Sequence, residues 1–262
     1  MVDILNTVLK KYIQFNNIES IAFGGSTTSK TNDNTSDIDI YIFSKNDIPI
    51  YIREKIIKPI SSKYEIGCEY LGAGDEYFVD ELNKQLDVMY WNTDWFENVV
   101  NNTWIKCYPQ NGYTTCFLYT LKNFKIFYDK NNWLRNLQET INTPYPQQLK
   151  HNIIKRNLML MKDKPFASYY EQIKKAILRN DVNSVNHREA AFIASYFDII
   201  FALNEQLHPG EKRLIQFAKN NCKILPNNFE LNLMKLFQQQ PLEILETLDI
   251  IIAELKSVLK NI

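Results

Sequence analysis

The chain has 262 residues, 45% hydrophobic and 13% aromatic, enough apolar material for one large domain or two modest ones. Its 30 Lys+Arg balance 30 Asp+Glu, so the broad positive field of a protein that tracks a phosphate backbone is missing, which excludes long nucleic acids as the expected partner. The longest apolar stretch, 190–203, carries Ser195 and Asp198 and falls short of the roughly 20 residues a membrane-crossing helix needs, so no span is expected.

The first residues show no basic region followed by a long apolar one and no small-residue cleavage pattern, which makes a cytoplasmic location the expectation. Ile4, Leu5, Val8, Leu9, Tyr12 and Ile13 then recur at helical spacing, and 20–23 form a short apolar run ending in Gly24-Gly25. The polar segment 26–36 leads into 37–43, Asp-Ile-Asp-Ile-Tyr-Ile-Phe, whose period of two predicts a strand. Further strands are predicted at 65–71, 85–91 and 125–128, and helices at 49–63 and 93–101. From about Pro146 the pattern changes to long amphipathic stretches, predicting helices at 146–161, 168–178, 184–205, 211–221, 228–238 and 242–259, punctuated by Pro165, Pro209, Pro226 and Pro241. Six of the 7 glycines lie before residue 113, which sharpens the contrast between the halves. The predicted fold is α+β: a mixed, mainly antiparallel sheet flanked by helices over 1–135, then a helical bundle over 136–262, with 129–146 as the junction.

Cys68, Cys107, Cys116 and Cys222 are scattered without a Cys-x-x-Cys pair, and His151, His187 and His208 lack the spacing of a zinc hydrolase. Reduced thiols are expected, and any metal must be held by carboxylates. Strand alternation places Asp37 and Asp39 on one face and Ile38, Ile40 and Ile42 on the other. Two residues of strand span about 6.6 Å, where like charges repel by roughly 2.5 kcal/mol at an effective dielectric of about 20, so a bound cation is favoured. Mg²⁺ takes one or two carboxylates plus substrate phosphates, which makes the pair a half-site whose other half is a nucleotide. Gly24-Gly25 lets the backbone turn sharply and approach a phosphate, and Ser26 adds a hydroxyl. A third carboxylate, Asp87, stands inside the apolar run 86–90.

Phe23-Gly24-Gly25-Ser26, followed by Ser36-Asp37-Ile38-Asp39-Ile40, resembles the signature of the DNA polymerase β-like nucleotidyltransferase superfamily, with Asp87 in the place of its third carboxylate. The resemblance covers roughly residues 20–91, and a domain of this kind followed by helices is similar to the small bacterial antibiotic nucleotidyltransferases that act on aminoglycosides or lincosamides. It implies transfer of a nucleoside monophosphate from an NTP such as ATP to an acceptor hydroxyl, with release of pyrophosphate. It also implies two Mg²⁺ ions, with Asp37 and Asp39 on the nucleotide-side ion and Asp87 on the acceptor-side ion, and Gly25 and Ser26 cradling the β- and γ-phosphates. Where members of the superfamily often carry an Arg after the Gly-Ser, this chain has Ser29 and Lys30, and Lys30 stands in as a point charge without the bidentate fork.

Among the remaining polar residues, Lys212 is a candidate to reach the triphosphate, and Glu189, His187 and Glu171 are candidates for the base that takes the acceptor proton. Trp91, Trp95, Trp104, Tyr169 and Tyr170 read first as core packing. The expected partners are an NTP and a small-molecule acceptor, an antibiotic among the candidates, with no membrane and with the chain acting as a monomer or homodimer. The alternatives are nucleotidylation of a protein or tRNA end, and a non-catalytic nucleotide-binding module on the same fold.

Overall fold

The computed structural model describes residues 2–25, 37–69, 72–164 and 166–260. Two compact units emerge: the first comprises 1–101 and 120–143, the second 102–119 and 144–262.

The first unit is built on a six-stranded sheet of order β3-β4-β5-β2-β1-β6, with β1 at Ile18–Phe23, β2 at Ile38–Ser44, β3 at Lys63–Cys68, β4 at Gly74–Val79, β5 at Lys84–Asn92 and β6 at Lys125–Asp129. Among the described residues β2 and β5 run parallel and the other pairs antiparallel, so the sheet is mixed as the sequence suggests. Ile40, Ile42, Leu86 and Val88 share one face and pack with Val8, Leu9 and Tyr12 of α1 (Val2–Ile13) and Ile56 and Ile57 of α2 (Ile50–Ile57). Phe43 and Trp91 occupy the opposite face, meeting Phe96 of α3 (Thr93–Val100) with ring centroids 5.2 and 5.1 Å away; Trp133 of α5 (Trp133–Ile141) lies 5.2 Å from Phe43. Alternation along each strand decides which of the two faces a side chain joins.

Two of these elements depart from the expected pattern. Strand β4 reads poorly because its inward residue Asp75 is acidic, yet it is 1% exposed and ion-paired to Arg53 of α2 at 2.9 Å. The stretch 129–146 is more than a junction: α5 forms there, with Leu134 and Ile141 buried.

The second unit contains α4 (Cys116–Asn123) in part and the helices α6 (Gln147–Leu158), α7 (Tyr169–Leu178), α8 (Val182–Leu203), α9 (Leu214–Asn221), α10 (Phe229–Gln238) and α11 (Leu245–Leu259). Helix α8 is the central element. Phe192, Tyr196, Phe197, Ile199, Ile200 and Phe201 are buried around it against Ile173 of α7, Leu233 of α10 and Leu248 and Ile252 of α11. Asp181 caps α8 by accepting from the Ser184 N–H at 3.1 Å, and Ser168 caps α7 by accepting from the Glu171 N–H at 3.3 Å. Among the described residues the cysteines form no disulfide, Cys107 and Cys222 buried and Cys68 and Cys116 half-buried, and no helix is long and apolar enough to cross a membrane.

Candidate active site

Strand β1 ends at Phe23, and the next two residues turn beside β2. The Gly24 N–H donates to the Asp39 carbonyl at 3.0 Å, and Gly25 adopts a φ of +60°. A Cβ on Gly25 would sit 1.6 Å from Asp39 Oδ2, and one on Gly24 would sit 2.5 Å from a Tyr41 ring carbon. The two glycines are thus what allow the main chain to pass directly over the Asp39 carboxylate and the Tyr41 ring. Tyr41 is half-buried, and its hydroxyl is held well above its ordinary value, first by burial and then by the Asp39 charge.

Register then joins the second carboxylate. In the parallel β2–β5 pair Asp39 stands directly opposite Asp87, so the two side chains share a face on strands that lie about 4.8 Å apart. Gln85, two residues before Asp87 and on the same face, donates its Nε2–H to Asp87 Oδ1 at 2.9 Å. Continuing across the sheet, Asp87 pairs with Glu76 of β4, and Glu76 with Glu65 of β3. Glu65, Glu76, Asp87 and Asp39 therefore form one row across four neighbouring strands, and Asp37 stands exposed just before β2. Like charges placed opposite each other destabilise a sheet, so this row is held at a cost to stability.

The donor set is oxygen-only and suits a hard divalent cation, and the adjacent Asp39 and Asp87 match the one or two carboxylates that Mg²⁺ takes alongside phosphates. Among the described residues no three His, Cys, Asp or Glu side chains converge closely enough to hold one metal ion, so the acids form an extended row and not a closed cage. Glu76, Glu65 and Gln85 escaped the sequence reading. Gln85 was readable from the alternation Gln85-Leu86-Asp87, whereas Glu76 and Glu65 become neighbours of Asp87 only through the pairing of β4, which no short-range pattern announces.

The other expected residues fall elsewhere. Ser26 and Lys30 lie outside the described residues. Lys212 belongs to the second unit, exposed in the segment before α9, as do Glu171, His187 and Glu189. Glu189 is half-buried near the start of α8, and its carboxyl is raised by burial. Trp91 is engaged in packing, 4.7 Å from Tyr41 and 5.4 Å from Trp95. Trp104 is likewise buried against Tyr145 in the second unit. Tyr169 packs against the α8 core, and Tyr170 donates to Asp249 Oδ2 at 2.8 Å.

Residues 4–101 match the family described as Nucleotidyltransferase domain, and residues 113–214 match Domain of unknown function (DUF4037). Among curated proteins none matches. Among solved structures, a nucleotidyltransferase-like protein from Exiguobacterium sibiricum 255-15 aligns at 8% identity and a TM-score of 0.46, covering 99% of this chain and 74% of the other. A spectinomycin adenyltransferase, AAD(9), from Enterococcus faecialis, solved with ATP and spectinomycin, aligns at 14% identity and a TM-score of 0.32, covering 97% and 98%. A STING-associated CdnE c-di-GMP synthase from Capnocytophaga granulosa aligns at 14% identity and a TM-score of 0.31, covering 97% and 78%.

Proposed function

With a nucleotidyltransferase domain at residues 4–101 as the premise, we propose that the chain transfers a nucleoside monophosphate from an NTP to a hydroxyl of a small-molecule acceptor and releases pyrophosphate. The observation that carries this reading is the stacking of the Gly25 main chain on the Asp39 carboxylate, with Asp87 opposite Asp39 in register. Phosphate-binding backbone and paired carboxylates are the two halves of a metal–nucleotide site.

The reaction is an in-line displacement. The acceptor oxygen forms a bond to the α-phosphorus, the bond from that phosphorus to the bridging oxygen of the β-phosphate breaks, and pyrophosphate leaves with the electron pair. The hydroxyl proton passes to a base. Asp37 and Asp39 would hold a Mg²⁺ on the nucleotide side, and Asp87, oriented by Gln85, one on the acceptor side. Such ions supply charge neutralisation of the attacking and leaving oxygens. Charge supports the need for them, because a triphosphate approaching Asp39, Asp87 and Glu76 brings negative charge to negative charge. Gly25 and Ser26 would contact the β- and γ-phosphates, with Lys30 and Lys212 as candidate counter-charges. The zero net charge favours a small acceptor over a polyanionic one.

Pyrophosphate release measured with Mg²⁺, each NTP and a panel of hydroxylated small molecules, antibiotics included, tests this. Product should fall by at least 100-fold in Asp39→Asn and in Asp87→Asn. Undiminished release in either variant would overturn the assignment.

A further inference from the structure

The second unit carries a surface cavity of about 350 Å³ that no part of the proposed reaction uses. Its floor is one face of α6 and the π-helical stretch 159–163 that continues it. Residues 152, 155, 156, 159 and 160 follow the spacing of a single helix face, and Pro109 joins the lining. A π-helical stretch is rare, and such stretches cluster at functional sites.

The lining has two characters. Lys155, Arg156 and Lys164 supply three positive charges and no acid lines the cavity, although the chain as a whole is neutral. Among the described residues, neither the Lys155 nor the Lys164 ammonium has a partner. Among the described residues Arg156 commits only its Nε–H, donated to Asn111 Oδ1 at 2.8 Å, which leaves the terminal nitrogens of the guanidinium for a ligand. Asp163, the nearest acid in sequence, is already paired with Lys256. Met159 and Leu160, together with Pro109, make the rest of the wall apolar, and Met159 is 45% exposed. The polar side chain between them is spent on structure: Asn152 donates to the Cys107 carbonyl at 2.8 Å and accepts from Gln148 at 2.7 Å.

We propose that this cavity binds a small organic phosphate, with the phosphate held by Lys155, Arg156 and Lys164 and the apolar body laid against Met159, Leu160 and Pro109. The volume sits at the lower end of small-molecule pockets, about 300–1,000 Å³, which fits a phosphomonoester carrying one ring better than a polymer. A planar guanidinium and two ammoniums lining one cavity are suited to a phosphate dianion, the arginine by its fork and the lysines as point charges. This site is independent of the nucleotidyl-transfer reading, since none of its residues serves that reaction.

The test is a binding titration of the full chain with phenyl phosphate, run beside inorganic phosphate and phenol as the two halves of the probe. Phenyl phosphate should bind at least tenfold more tightly than either half. Affinity should fall at least tenfold in a Lys155→Gln/Arg156→Gln variant that melts at the wild-type temperature, and severalfold in Met159→Gln, which keeps all three charges. Mg²⁺ with an NTP should leave the titration unchanged. Equal affinity in wild type and the double variant would overturn the proposal. So would displacement of phenyl phosphate by an NTP together with its loss in Asp39→Asn, which would assign the binding to the first unit.

Discussion

Gly25 has no room for a side chain, because a φ of +60° is unfavourable for any L-residue and the Asp39 carboxylate occupies the place a Cβ would take. Gly25→Ala must therefore either displace Asp39 or distort the turn. Nucleotide-dependent turnover should drop by 100-fold or more, while urea denaturation shows a loss of only about 1–3 kcal/mol, the range for one strained backbone position. Gln85 acts differently, through orientation of Asp87 Oδ1. On the proposed metal-ligand role of Asp87, Gln85→Ala should lower kcat about 10- to 100-fold, the usual effect of removing the hydrogen-bonding partner of a ligand group, with KM for the NTP and the melting temperature nearly unchanged. At this scale the sequence was informative where chemistry is local. A Gly-Gly turn followed by alternating Asp-Ile-Asp can be read without a fold, and Gln85 sits one alternation from Asp87. Glu76 and Glu65 reach the same row only through strand pairing, so their place beside Asp87 depends on contacts between β3, β4 and β5 that are remote in sequence.

Between elements, the first unit is pinned by a buried polar knot. Arg53 of α2 donates to Asp75 of β4 at 2.9 Å, the Gly67 N–H donates to the same oxygen at 2.8 Å, and Tyr90 of β5 donates to the other oxygen at 2.6 Å. Breaking one half of a buried ion pair leaves the other charge uncompensated, so Arg53→Leu should cost about 3–5 kcal/mol in chemical denaturation. The same knot explains why β4 was illegible: an inward Asp contradicts the hydrophobic alternation that marks a strand, and only its partner on α2 makes it tolerable. Helices α4 and α5 were not expected from the sequence, although α2, α3 and α9, equally short, were.

The second unit holds a pair of opposed titrations. Asp198 of α8 is 1% exposed, accepts from the Thr114 N–H and hydroxyl at 3.0 and 2.6 Å and from Asn157 at 3.0 Å, and is pushed up to about 6 by burial. Its folded form holds the proton more tightly than the unfolded chain, so its contribution to stability is present below 3.8 and is lost as pH rises through about 6. His208, buried against Tyr113 and Phe201, is pushed down to about 4 from 6.5, and its contribution is present above 6.5 and lost as pH falls through about 4. Each is worth roughly 3 kcal/mol and the slopes oppose, so wild-type stability should vary little between pH 4 and 6 on their account. His208→Gln should unmask the Asp198 slope, losing stability as pH rises across that window, and Asp198→Asn the reverse. Urea midpoints taken at half-unit steps check this; a profile parallel to wild type in both variants would refute it.

For the whole molecule, the change from a glycine-bearing, alternating first half to a glycine-poor, amphipathic second half announced both architectures, because periodicity of two and of 3.6 are visible without tertiary contacts. What no periodicity conveys is that 102–119 belongs with the helices and 120–143 with the sheet, since edge strand β6 finds its partner β1 across a hundred residues of chain. The chemistry proposed for this arrangement depends on one claim, that the carboxylates at the start of β2 bind a metal-bound nucleotide. Thermal melting of wild type and an Asp37→Asn/Asp39→Asn variant with each common NTP, with and without Mg²⁺, tests it most directly. A ligand present at a hundredfold over its Kd stabilises the native state by about 2.7 kcal/mol, a rise of several degrees. That rise should appear with at least one NTP, only with Mg²⁺ and only in the wild type. A rise of equal size in the variant or without Mg²⁺, or none with any NTP, would contradict the assignment.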